Sequence, residues 1–210
     1  MIERRLVGFV LAVIVGHHNG VLFAPLGDVG PTRWADWIDL VLPPLVLGFA
    51  AATLFAAKAG RTAWLAFGAG ALLYTQGHGI HLAANSVANT DPGETAHLWD
   101  EIVGHYLWYG GLAAVVAALA LELASRARRV TPWSLALAAL WGITATTNAV
   151  EGGTAAFALA TAVVFILWGW RYRRRGGAEL LAAYAISLVL LAGWGLYWRG
   201  FPQFSELGWI

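Results

Sequence analysis

Six histidines and a small set of acids and amides interrupt a chain of 210 residues that is otherwise strongly apolar. They fall in three constellations: His17-His18-Asn19, His78-x-x-His81-x-x-x-Asn85 and His97-x-x-Asp100-Glu101-x-x-x-His105. Helical offsets of three and four share a face. His78, His81 and Asn85 therefore line one helix face; His97, Glu101 and His105 line another, with Asp100 beside them. Imidazoles facing carboxylates across two helices are how metal sites are built in helical bundles. Three histidines, a carboxylate and a water describe a catalytic zinc site. The donors are also numerous enough for a dinuclear centre. Imidazole and carboxylate suit Zn, Fe or Mn rather than copper in a soft site, so the expected cofactor is one or two divalent ions, Zn or Fe. The chain has no cysteine, which excludes iron–sulfur ligation, thiolate zinc and a cysteine nucleophile.

The elements that must carry these residues are membrane helices. Hydrophobic residues make up 59% of the chain and charged residues only 12%, which excludes an ordinary soluble domain. Apolar stretches of about 20 residues, each long enough to cross a bilayer, recur along the chain. Seven spans are predicted, at about 6–26, 37–57, 63–87, 96–123, 132–150, 155–170 and 180–198. Breakers or charges separate them, as at Thr90-Asp91-Pro92-Gly93-Glu94. No small-x-small cleavage motif follows the first apolar run, so it reads as a retained helix. The expectation is one all-α domain over 1–210, a polytopic seven-helix membrane bundle.

Orientation follows from the basic residues. In a seven-span arrangement, eleven of the thirteen Lys and Arg residues fall on one side, and only Arg33 and Arg199 fall on the other. The positive-inside rule makes the crowded side cytoplasmic. The N-terminus is then inside, the C-terminus outside, and every histidine lies in the outer half of a cell-membrane protein.

Ionisable groups at membrane depth are strongly disfavoured unless they serve a purpose. His81, His105, His78 and His97 are the candidate ligands, with Glu101 as a further ligand. Asn85 and Glu151 complete or orient the shell, together with His17 or His18. Adjacent residues stand about 100° apart on a helix, so His17 and His18 cannot both face one site. Glu101 and Asp100 are the candidate general bases. Singly, each histidine is also explained as a hydrogen-bonded packing residue, and the acids near 97–101 as solvated interface charges. Pro43-Pro44 is expected to kink the second span, and Gly16 and Gly20 to mark close helix packing.

The function expected from this pattern is that of a membrane metalloenzyme, a metal-dependent hydrolase acting on a lipid-like substrate through a metal-activated water. Seven spans with an intramembrane histidine cluster resemble, in architecture and ligand type, the superfamily of alkaline ceramidases and progestin/adiponectin receptors. Those proteins place a His-x-x-x-His motif on the seventh helix, where this chain has no histidine, so no residue carries over. The alternatives are a diiron oxidoreductase of the hydroxylase or desaturase kind, a haem b electron carrier with two histidine ligands, and an ion transporter. The expected partners are the bilayer and a hydrophobic small molecule, with no nucleic acid.

Overall fold

The computed structural model describes residues 2–91, 93–124, 126, 127 and 129–209. Arg128, one of the basic residues in the orientation argument, lies outside them. The described chain is almost entirely helical, apart from a two-stranded antiparallel ladder of β1 (Asp28–Val29) and β2 (Thr32–Arg33). Each of the seven apolar segments is helical. The first divides into α1 (Ile2–Gly16) and α2 (Asn19–Phe23), the axis bending by 65° around His17-His18. The second divides into α3 (Trp34–Asp39) and α4 (Leu42–Ala56). Pro43 and Pro44 occupy the first turn of α4, where a missing N–H leaves no bond unmade. The prolines thus start a helix after a break rather than kink a continuous one. α5 (Arg61–Ala88) follows, then a short α6 (Glu94–His97), a π-helix (Leu98–Gly104) and α7 (His105–Leu123). α8 (Pro132–Glu151), α9 (Ala155–Arg171) and α10 (Ala178–Trp198) complete the fold.

Among the described residues, three helical stretches are long and apolar enough to cross a bilayer: Trp34–Ala56, Glu94–Leu123 and Ala178–Trp198. The bent pair α1–α2 makes a fourth if it is one span. α5 and α8 have the length, but Tyr74, Gln76, His78 and His81 on one, and Thr144, Thr146, Thr147 and Asn148 on the other, dilute their apolarity. α9, with 17 residues, spans about 25 Å at 1.5 Å per residue.

Burial departs from that of a water-soluble protein at both extremes of polarity. Phe55, Leu72, Val189 and Leu196 are each 70% or more exposed, while Asp36, Asp39, His78, Asp100 and His105 are buried. Large apolar side chains outside and ionisable ones inside suit a hydrocarbon solvent.

The chain forms two compact units, Met1–Leu119 and Ala120–Ile210. In the first, α1 packs on α4, α4 on α5, and α5 against the π-helix, while α2 and α3 pack together and α3 reaches α5. The contact that positions the site is made by glycines seven apart. A Cβ on Gly70 would lie 2.8 Å from the Val115 nitrogen, and one on Gly104 would lie 2.9 Å from the His81 nitrogen. A Cβ on Gly77 would strike the Trp108 backbone, and one on Gly111 the Tyr74 backbone. The antiparallel helices therefore touch backbone to backbone, as small residues allow in membrane proteins. Gly16 and Gly20 do not play this part. Gly16 meets Leu42 at an ordinary 3.5 Å and Gly20 faces open space.

In the second unit α8, α9 and α10 pack pairwise around Ala149, Val150, Ala155 and Leu191. The Glu151 carboxylate accepts the backbone N–H groups of Phe204 (2.8 Å) and Ser205 (3.3 Å), and its carbonyl accepts from the Gln203 amide. Trp194 packs on Phe204 and Trp209. The C-terminal segment is thereby folded back onto the ends of α8 and α10.

Candidate metal centre

His81 of α5, Asp100 of the π-helix and His105 at the head of α7 each present one ligand atom, and these atoms lie within 4.8 Å of one another. Asp100 and His105 are buried, and His81 is half-buried. His81 Nδ1 is 2.5 Å from Asp100 Oδ1, a short charge-assisted contact. The His81 and His105 ring centroids are 4.5 Å apart, and Glu101 Oε2 lies 3.3 Å from His105 Nδ1. The Trp108 ring packs against His17, His78 and His81, with centroids at 4.6, 4.8 and 5.1 Å.

The π-helix explains why Asp100 joins this group. In an α-helix, residues five apart point about 140° away from each other. Here the His105 N–H reaches back to the Asp100 carbonyl, a turn closed over five residues. Such a turn returns residue i+5 to nearly the same side and leaves i+4 close by. Asp100 and Glu101 thus both flank His105. On the facing helix, His81 lies four residues past Gly77 while Asp100 lies four before Gly104. The touching backbones set those two side chains opposite each other.

The remaining sequence candidates divide. His78 is buried next to the group, its Nε2 3.1 Å from Asp39 Oδ2. His17 faces the cluster: its ring stacks with Tyr109 at 5.8 Å, and its Nε2 is 3.4 Å from the Tyr74 hydroxyl. His18 turns the other way, its Nδ1 2.9 Å from the Ile14 carbonyl one turn earlier. His97 is exposed at the end of α6, because the α-helical spacing that aligned it with Glu101 and His105 does not continue through the π-helix. Asn85 is half-buried one turn beyond His81 and is not in the three-residue group. Glu151 belongs to the second unit, engaged by Phe204 and Ser205.

Sequence reasoning missed Asp39. It falls inside the second predicted span, and a lone acid within an apolar run is itself a signal. Its neighbour Asp36 is committed to Arg33, at 2.8 Å. Tyr74 and Trp108, both almost fully buried, were also missed, because aromatic residues are common in membrane helices for other reasons.

Chemically, the arrangement suits a cation. A carboxylate on one ring nitrogen fixes an imidazole's orientation and raises the basicity of the other, a pattern common to metal-ligating histidines. Compared with protein-family models, curated proteins and solved structures, the chain gives no match, so this geometry alone carries the functional reading.

Proposed function

We propose that the protein is an integral membrane metalloenzyme with a Zn or Fe ion held by His81, His105 and Asp100, hydrolysing a lipid-like substrate. The observation that carries this reading is the convergence of two imidazoles and a carboxylate at the contact between two apolar helices. A bound divalent ion would lower the pKa of its water toward about 7 and so supply a nucleophile at neutral pH. Glu101, half-buried next to His105, would act as the general base and acid, accepting a proton on its carboxylate and returning it to the leaving group of an ester or amide. His17 and Trp108 wall the group with aromatic surface.

Support for an apolar substrate comes from a groove of about 760 Å³ beside the same helices. Ile80, Ala83, Ala84, Val87 and Trp99 supply apolar lining, and Asp91, Glu94 and Thr95 polar lining. Ile80 and Trp99 are the chain neighbours of His81 and Asp100. In this reading all seven helical segments cross a cell membrane, with the N-terminus inside and the site in the outer half. The distribution of basic residues and the helicity of each segment support that topology.

Elemental analysis and an absorption spectrum of detergent-purified protein, prepared without chelators, test the proposal. Stoichiometric zinc without colour is the expected result. Iron without a Soret band would favour the diiron oxidoreductase, and a Soret band a haem protein. Absence of metal, with no rise in melting temperature on adding zinc or iron, would refute the metalloenzyme reading.

A further inference from the structure

A second group of buried polar atoms lies beside the first and plays no part in the chemistry above. Asp39 of α3 and His78 of α5 are 6% and 3% exposed, and their side chains approach to 3.1 Å. That approach is not aligned as a hydrogen bond, and neither Asp39 Oδ1 nor His78 Nε2 has a hydrogen-bond partner. Asn19 of α2, 6% exposed, is in the same condition. Its Nδ2 donates to the Ala35 carbonyl at 2.8 Å, one helical turn before Asp39, while its Oδ1 has no partner. Three elements thus contribute a carboxylate oxygen, an imidazole nitrogen and an amide oxygen, all buried and unsatisfied.

Buried polar atoms are nearly always satisfied, and those that are not point to a water or an ion. A water could satisfy one or two of these atoms, but beside a neutral His78 it would leave the Asp39 charge uncompensated. With His78 Nε2 unprotonated the set is acceptor-only, and a divalent cation would satisfy it and offset the charge. Oxygen with imidazole is a donor set for Zn, Mn or Fe. His78 precedes His81 by three residues on one face of α5, and their ring centroids are 6.5 Å apart. The two groups therefore share a helix face.

We infer that Asp39, His78 and Asn19 form a second divalent-cation site, so that the protein carries two ions. The inference rests on the proposed metal centre at His81, Asp100 and His105, and the test separates the two. Full-length protein in detergent is stripped with chelator, titrated with Zn²⁺ alone, and its bound metal counted after gel filtration. Two equivalents in the wild type, falling to one in both Asp39→Asn and His78→Ala, are expected. His81→Ala should also retain one.

One equivalent in the wild type, lost in His81→Ala, would overturn the second site and leave the first standing. Two equivalents unchanged in Asp39→Asn and His78→Ala would place the second ion elsewhere and overturn the assignment. No bound zinc would remove both sites. If the Asp39 and His78 variants fail to fold, Asn19→Ala takes their place. Zinc binding at the second equivalent should then weaken at least tenfold, and an unchanged titration overturns the site.

Discussion

Replacing Gly77 by alanine should disable the metal centre without touching a ligand. A Cβ there falls 2.7 Å from the Leu107 carbonyl carbon and 2.8 Å from the Gly104 oxygen, and closer still to the Trp108 nitrogen. Ordinary contact begins at 3.4 Å, so the facing backbone must retreat by at least about 0.7 Å, the gap between 2.7 and 3.4 Å, and by more at the Trp108 nitrogen. All three obstacles are backbone atoms, which cannot rotate aside as a side chain can. The strain is of the overpacking kind, about 1–3 kcal/mol. Ligand positions in metal sites tolerate about 0.2 Å, several-fold less than this displacement. His81 is one turn past Gly77, and Asp100 and His105 move with the opposite helix. A loss of at least about 10–100-fold in metal affinity, of the size seen on removing outer partners, is therefore expected. Gly79→Ala is the control. It lies on the same helix with nothing within 4 Å, so it should bind metal as the wild type does. Zinc titration and thermal melting in detergent read both variants. If Gly77→Ala binds zinc as tightly as the wild type and melts at the same temperature, the glycine contact does not position the site.

The ion of the His81–Asp100–His105 centre, one equivalent, should be lost in His81→Ala and in His105→Ala, while His18→Ala and His97→Ala should bind as much metal as the wild type. Elemental analysis of each variant checks this, and retention of that ion in His105→Ala would break the ligand assignment. Glu101→Gln should keep its metal and lose turnover of a lipid ester or amide, since the amide is nearly isosteric but accepts no proton at neutral pH. Joint loss of metal and turnover would make Glu101 a ligand instead. A reporter fused after Ile210 should be active only outside the cytoplasm, and activity inside would reverse the orientation. Glu151→Ala removes the acceptor of two backbone N–H groups. It should destabilise the second unit by about 1–2 kcal/mol and open residues 201–209 to protease. A loss of bound metal instead would put Glu151 on the ion.

Helical periodicity made the His78-x-x-His81 face legible in advance, because α5 is a regular helix through both residues. The same rule misjudged the neighbouring stretch. It aligned His97, Glu101 and His105 as successive i, i+4 neighbours, whereas the π-helix brings Asp100 to the front and leaves His97 exposed. No residue in Leu98–Gly104 announces such a turn, although the stretch packs closely on α5. The choice between His17 and His18 was also undecidable from sequence, because it depends on where the bend between α1 and α2 falls. Asp39 could have been found. It is an acid within an apolar span, a pattern as plain as the histidines. The sevenfold spacing of Gly70 and Gly77 opposite Gly104 and Gly111 was equally visible, but a stripe of small residues names no partner until the facing helix is known.

The π-helix also makes the site fragile in a particular way. A turn closed over five residues holds one residue more than the α-helical turn it replaces. Deleting one exposed residue, such as Ile102, would let the helix from Glu94 to Leu123 relax to uniform α geometry. His105 would keep its place on α7, but the residues ahead of the deletion would turn by about 100° about the axis, carrying Asp100 away from His81. The shortened chain would still fold and cross the membrane, its helix better bonded than before. Loss of the centre would then be one codon deletion away. A relative with an unbroken α-helix here would be expected to have shed the chemistry while keeping the fold, and helix length between α5 and α8 would distinguish the two kinds of descendant.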